Sequence, residues 1–239
     1  MGKSCIISIL EFTYKGELMK ELSVFDIIGP NMIGPSSSHT AGALKIAKVA
    51  YQLAPKVIQK VTFVLYGSFA KTYRGHGTDR ALVAGLLGMN EEDERIKEAF
   101  SYAKERGLNY SFCMNECEHI KHPNTVDIIM EDPKGNTISV TGSSIGGGAI
   151  SIDKVNGMEV YFNGEYHTLL ISHQDQPGIV GHITNCLGNW KINIAYMRVY
   201  RENKGKMAST IVETDEHICE EVIEAITNHE AVQYARIIN

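Results

Sequence analysis

Two hydrophobic patterns run along the chain, and one replaces the other near residue 165. In the first part, apolar Leu44, Ala47 and Val49 interleave with polar Lys45, Lys48 and Gln52, which predicts a helix beginning near Thr40. Val61 to Tyr66 has strand composition and ends at Gly67. A second helix is expected from Asp79 to Leu87, stopped by Gly88. A third is expected after Asn90, an N-cap residue followed by Glu91, Glu92 and Asp93; Ile96, Phe100 and Ala103 form its apolar face and Gly107 its end. Val126 to Met130 and Thr137 to Thr141 then read as strands about the turn Pro133-Lys134-Gly135-Asn136. Short strand candidates follow Gly146-Gly147-Gly148, punctuated by the hairpin dipeptides Asn156-Gly157 and Asn163-Gly164.

The second part is more regular. Thr168 to Ser172 reads as a strand and Gly178 to Trp190 as a helix. Ile192 to Tyr200 and Lys206 to Thr214 read as a hairpin across Asn203-Lys204-Gly205. Ile218 to Thr227 reads as a helix and Val232 to Ile238 as a last strand. The order is βαββαβ, the ferredoxin-like split unit. The fold class expected is therefore α+β: a mixed α/β domain over 19–165 and a ferredoxin-like domain over 166–239. Residues 1–18 read either as a strand or as an upstream extension before an alternative start at Met19, with no assigned role.

Composition narrows the function classes. With 239 residues, 44% of them hydrophobic and 21% charged, and a net charge of −5, the chain has the balance of a soluble globular protein. It carries no dense Lys/Arg stripe of the kind nucleic-acid binding needs, and no apolar run of membrane-spanning length. Ile6-Ile7-Ser8-Ile9-Leu10 is too short for a signal segment. Five cysteines without a framework of spacings point to a reducing cytoplasm. Cys113 and Cys117, with His119 and His122 just beyond, make a metal site conceivable, but a strand cysteine beside loop residues is the more economical reading, and no site for an iron–sulfur cluster is legible.

The stretch richest in chemistry is Gly29-Pro30-Asn31-Met32-Ile33-Gly34-Pro35-Ser36-Ser37-Ser38-His39-Thr40-Ala41-Gly42. Four hydroxyl side chains surround one imidazole at the start of a helix, where unpaired backbone N–H groups favour an anion. Ser36, Ser37, Ser38 and Thr40 are candidates for holding a substrate carboxylate, and His39 for moving a proton near neutral pH. A plain helix cap needs one hydroxyl, not four beside a histidine. Gly75-His76-Gly77-Thr78 precedes another helix and forms a second candidate anion site, with Gly146, Gly147 and Gly148 as a further candidate.

Asp26-Ile27-Ile28-Gly29-Pro30 followed by Met32 to Ala43 resembles the signature of iron–sulfur-dependent L-serine dehydratases. Tyr73-Arg74-Gly75-His76-Gly77-Thr78-Asp79 and Ser143-Ser144-Ile145-Gly146-Gly147-Gly148 fit the same family. The resemblance is to the family's β part and implies an α partner that supplies the cysteines of a 4Fe–4S cluster. It also implies dehydration of L-serine to an enamine that becomes pyruvate and ammonia. In that chemistry cluster iron polarises the hydroxyl while a base takes the α-proton, with His39 as acid, base or orienter. No lysine sits in a pyridoxal phosphate motif. The β domain is also similar to an allosteric domain of some phosphoglycerate dehydrogenases.

The βαββαβ order together with Asp175-Gln176-Pro177-Gly178 resembles an ACT domain, which implies a homodimer and a small amino-acid ligand. His173 and Asn193 fit the pattern of serine-sensing members, whereas Asp175 stands where that pattern has Asn. Two other classes compete with the catalytic reading. One is a non-catalytic amino-acid sensor; the other is a metal hydrolase built on Cys113, Cys117, His119 and His122.

Overall fold

The computed structural model describes residues 32–115, 121–201 and 203–238. The expected extension over residues 1–18, the motif residues Asp26 to Asn31, and Cys5, Cys117 and His119 lie outside them.

Helix α1 (Gly42–Leu53) is preceded by a π-helical turn, Ser37–Ala41. Strand β1 (Lys60–Tyr66) leads into a short helix, α2 (Gly67–Thr72), then α3 (Thr78–Leu86). The expected third helix starts later than Asn90. Asp93 caps a 3-10 turn at Glu94–Glu98 by accepting from the Arg95 N–H, and α4 (Ala99–Glu105) continues it. Asn90 instead accepts from Lys48 Nζ at 2.7 Å.

Strands β2 (Asn109–Asn115), β3 (Thr125–Glu131), β4 (Thr137–Gly146), β5 (Ala149–Val155) and β6 (Met158–Phe162) complete a six-stranded sheet ordered β2-β1-β3-β4-β5-β6. Only the β1–β2 pair is parallel. Asn156 and Gly157 take positive φ of 52° and 77° and turn β5 into β6, the geometry a two-residue hairpin needs. Asn163-Gly164 makes no hairpin; it links β6 to a strand of the other sheet.

That second sheet holds β7 (His167–Gln174), β8 (Ile194–Arg201), β9 (Met207–Thr214) and β10 (Val232–Ile238), all antiparallel in the order β10-β7-β9-β8. Helices α5 (Ile179–Asn189) and α6 (Glu220–Thr227) are interleaved in βαββαβ order. Alternation along β7 sends Leu169 and Ile171 to the core shared with α5 and α6. Leu170, with Ile211 and Ile238, joins the core of the first sheet. Both faces of β7 are thus buried, which is why its sequence is nearly continuous in apolar residues.

Three glycines let α1 sit close to its neighbours. A Cβ at Gly142 of β4 would lie 2.6 Å from Ile46 Cγ2, and one at Gly85 of α3 would lie 2.5 Å from the Leu44 carbonyl. A Cβ at Gly42 would overlap the Ser144 hydroxyl. The first turn of α1 is thereby pressed onto the end of β4.

Candidate functional site

The serine–histidine segment folds as a π-helical turn because Ser36 caps it: its Oγ accepts from His39 N at 3.1 Å. One hydroxyl therefore does the capping. Ser36 Oγ and Ser38 Oγ also lie 3.4 and 3.3 Å from His39 Nδ1, on one side of the ring. On the other side, Nε2 is 2.9 Å from Ser68 Oγ, at the start of α2. Thr40 is buried and points elsewhere, donating to the His76 carbonyl at 2.9 Å. Ser37 is half-buried in the same turn.

That Thr40 bond joins the two histidine motifs. The His76 ring stands 4.7 Å from that of His39, and Phe69 closes a further side edge-on at 5.5 Å. Burial, and secondarily the charge of His76, pushes the His39 pKa below the ordinary histidine value. A neutral imidazole able to accept a proton is the consequence. Gly75 to Gly77 form the turn into α3, where Thr78 is fully buried and its Oγ1 has no partner among the described residues. Asp79 next to it is pushed upward by burial, against the opposing effect of Arg80 and Arg74.

The end of β4 reaches the same place. Ser144 abuts Gly42, and its N–H bonds to the Asn124 carbonyl at 2.9 Å. Four buried polar atoms lack a partner among the described residues: His76 Nδ1, Thr78 Oγ1, Asn124 Oδ1 and Ser144 Oγ. Unpaired buried polar atoms are costly and rare, and these four belong to the segments that meet the serine–histidine turn at Thr40 and Gly42. Gly146, Gly147 and Gly148 make the reversal from β4 to β5, two residues beyond Ser144. Ser143 Oγ, 2.9 Å from Thr125 Oγ1, donates to Asp153 at 2.8 Å and so braces that strand end.

Sequence reasoning did not single out Ser68 or Asn124, and it named Ser144 only as part of the Ser143-to-Gly148 motif. Each reaches the site across a long stretch of chain. Only the position of Ser68 directly after a strand and a glycine hinted at its place.

The other proposed ligand positions behave differently. His173 is fully buried; Nδ1 donates to the Gln174 carbonyl at 2.9 Å and Nε2 lies 2.7 Å from Thr210 Oγ1. Asp175 accepts from Gly205 N at 3.0 Å and Arg201 Nη1 at 3.1 Å, which together hold its carboxyl below the usual range. Asn193 donates to Asp215 at 2.8 Å. It adjoins Ile194, which pairs with Thr214 opposite His167, so it sits at the other end of the sheet from Asp175.

Among the described residues no three His, Cys, Asp or Glu side chains are grouped to hold a metal. Cys113, Cys186 and Cys219 stand on or beside different elements and do not fit the thiolate set of a 4Fe–4S cluster. His122 Nδ1 accepts from Asn124 N at 3.2 Å, and burial lowers its pKa despite the nearby Asp153. No described helix is long and apolar enough to cross a membrane.

Comparison with known proteins agrees with the motif geometry. A family profile described as serine dehydratase beta chain matches residues 23–155. The chain is 41% identical to the L-serine dehydratase, beta chain of Peptoniphilus asaccharolyticus, over 92% of this chain and 99% of that one. It is 42% identical to the probable L-serine dehydratase, beta chain of Bacillus subtilis (strain 168), over 87% and 94%. A more distant relative is a D-3-phosphoglycerate dehydrogenase of the same Bacillus strain, 28% identical over 82% of this chain and 37% of that protein. The matched segment contains His39, Ser68, His76 and Ser144, so the chain that builds this cluster belongs to the serine dehydratase beta chain family.

Proposed function

We propose that the chain is the β subunit of an L-serine dehydratase, an L-serine ammonia-lyase that works with an α subunit carrying a 4Fe–4S cluster to convert L-serine to pyruvate and ammonia. The observation that carries this reading is the identity above 40% over nearly the full length of two relatives bearing that name. The chemistry of the His39 cluster supports it. Hydroxyls of Ser36, Ser37 and Ser38 at a helical N-terminus suit a carboxylate, and a neutral His39 beside them suits proton transfer. Thr40 acts indirectly, tying the turn to His76.

In the same reading, residues 19–165 form the serine dehydratase β domain and residues 166–239 an ACT domain. The βαββαβ order and the strand order β10-β7-β9-β8 support the latter. An amino acid held jointly by His173, Asp175 and Asn193 would need two copies of the chain, because one copy puts Asp175 and Asn193 at opposite ends of its sheet. Homodimerisation through this unit and residence in the cytoplasm complete the proposal.

The test is anaerobic assembly with the α subunit, followed by a pyruvate assay on L-serine. Turnover is expected from the assembled pair and from neither chain alone. An assembled, cluster-containing complex that leaves serine untouched would overturn the catalytic reading and favour a sensor.

A further inference from the structure

The two faces of the His39 ring are not equivalent. Among the described residues Nε2 has one hydrogen-bond partner, Ser68 Oγ at 2.9 Å, whereas Nδ1 lies between the hydroxyls of Ser36 and Ser38 at 3.4 and 3.3 Å. Ser36 Oγ already accepts His39's own backbone N–H and lies 3.4 Å from Ser38 Oγ. Even where one of these hydroxyls donates to the other, the second keeps an O–H for Nδ1. A nitrogen flanked by two hydroxyl donors is best used as an acceptor.

Ser68 is held more firmly than a surface serine. Its N–H donates to the Pro123 carbonyl at 2.7 Å, and the neighbouring Phe69 N–H reaches the same oxygen at 3.4 Å. Gly67 permits this approach: it has φ of +50°, and a Cβ there would lie 2.6 Å from Pro123 O. A strand end, a glycine and a remote loop thus fix one hydroxyl against one imidazole nitrogen.

We propose that Ser68 is a positioning residue for His39: its Oγ accepts the Nε2 proton, holds the ring in the Nε2–H tautomer, and leaves the Nδ1 lone pair as the site that exchanges a proton with the substrate. This rests on the reading of His39 as the proton-transfer group. A proton accepted at Nδ1 converts the ring to imidazolium and its release restores the neutral tautomer, so the step balances without another reactant. The arrangement parallels the way a buried carboxylate orients a catalytic histidine, with a neutral hydroxyl in its place. Among the described residues the titratable ring beside His39 is His76, tilted against it at 4.7 Å; burial, and then His76, favours the neutral form in which a tautomer is defined.

The test has two readouts. Long-range nitrogen–proton spectra of the ring-labelled full chain, with His39 assigned through His39→Gln, should show the Nε2–H form. It should be retained in Ser68→Thr and lost to a mixture in Ser68→Ala. In the complex with the α subunit, Ser68→Ala should lower kcat roughly tenfold with KM little changed, and Ser68→Thr should restore it. An Nδ1–H tautomer in the wild type, or a Ser68→Ala chain with unaltered tautomer, would overturn the proposal. Failure of the wild-type complex to act on serine would instead overturn the functional reading and leave the tautomer result standing.

Discussion

Two histidine-centred regions, one in the turn before α1 and one on β7, use their hydrogen-bonding capacity in opposite ways. Around His39 the contacts to Nδ1 are long, the ring is half-buried, and four polar atoms on the adjoining segments have no partner among the described residues. Around His173 both ring nitrogens are bonded at 2.7 and 2.9 Å within a fully buried pocket, and Asp175 and Asn193 are likewise engaged inside the chain. A saturated network fixes one structure and gives little to a ligand unless something rearranges. An incompletely bonded one costs stability and keeps donors and acceptors ready. Both regions contain a histidine beside hydroxyls, so residue type alone does not separate them; the state of their bonds does.

The largest effect that would break this contrast is on turnover. His39→Ala should lower kcat of the assembled enzyme roughly 10²–10⁴-fold, the range for losing a general acid or base. His173→Ala should instead lower stability by about 1–3 kcal/mol, because Thr210 loses its buried partner. Its turnover at saturating serine should change little. If pyruvate assays and urea melts gave the two variants the same profile, the contrast between a reactive region and a structural one would be lost.

A smaller effect is expected where α1 is clamped from outside the site. Gly85→Ala would place a methyl 2.5 Å from the Leu44 carbonyl and 2.6 Å from Ala47 Cβ, both of α1. Overpacking of this kind costs about 1–3 kcal/mol. The strain falls two turns at most from the serine–histidine segment, so the variant should melt earlier and also bind serine less well. A melt shift with unchanged KM would show that the turn holds its geometry independently of α1.

Much of this was legible in the sequence, and the exceptions share a cause. The βαββαβ order was readable because the strands of the second sheet are apolar runs separated by Gly and Asn. Asn156-Gly157 was readable for its dihedrals. By contrast β2, an edge strand containing Asn109, Ser111 and Asn115, pairs in parallel with β1, so no hairpin turn joins the pair to announce it. Helix α2 is too short to show a period. In the site, the serine–histidine block stood out by composition, whereas Ser68 and Asn124 are ordinary residues made significant by contacts across the fold. Local pattern carries the first kind of information and not the second.

The smallest expected effect is on the pH dependence of stability, and it sharpens the contrast without any partner. Burial lowers the pKa of His39, with His76 adding to the shift, and burial also lowers that of His122. A histidine depressed in the folded state binds its proton more weakly there than in the unfolded chain. Its contribution to stability is then present above the ordinary value, about 6.5, and is lost as pH falls below it. The raised carboxyls of Asp79 and Glu213 act in the opposite sense. A depressed histidine's share of the slope falls around its ordinary value, between about pH 7.5 and 5.5. The urea midpoint of the isolated chain should decline across that window, and His39→Gln, which keeps a polar side chain but cannot titrate, should make the decline shallower. An identical decline in the variant would mean that water reaches the His39 ring freely, contrary to the half-buried pocket formed by Phe69, His76 and Ser68.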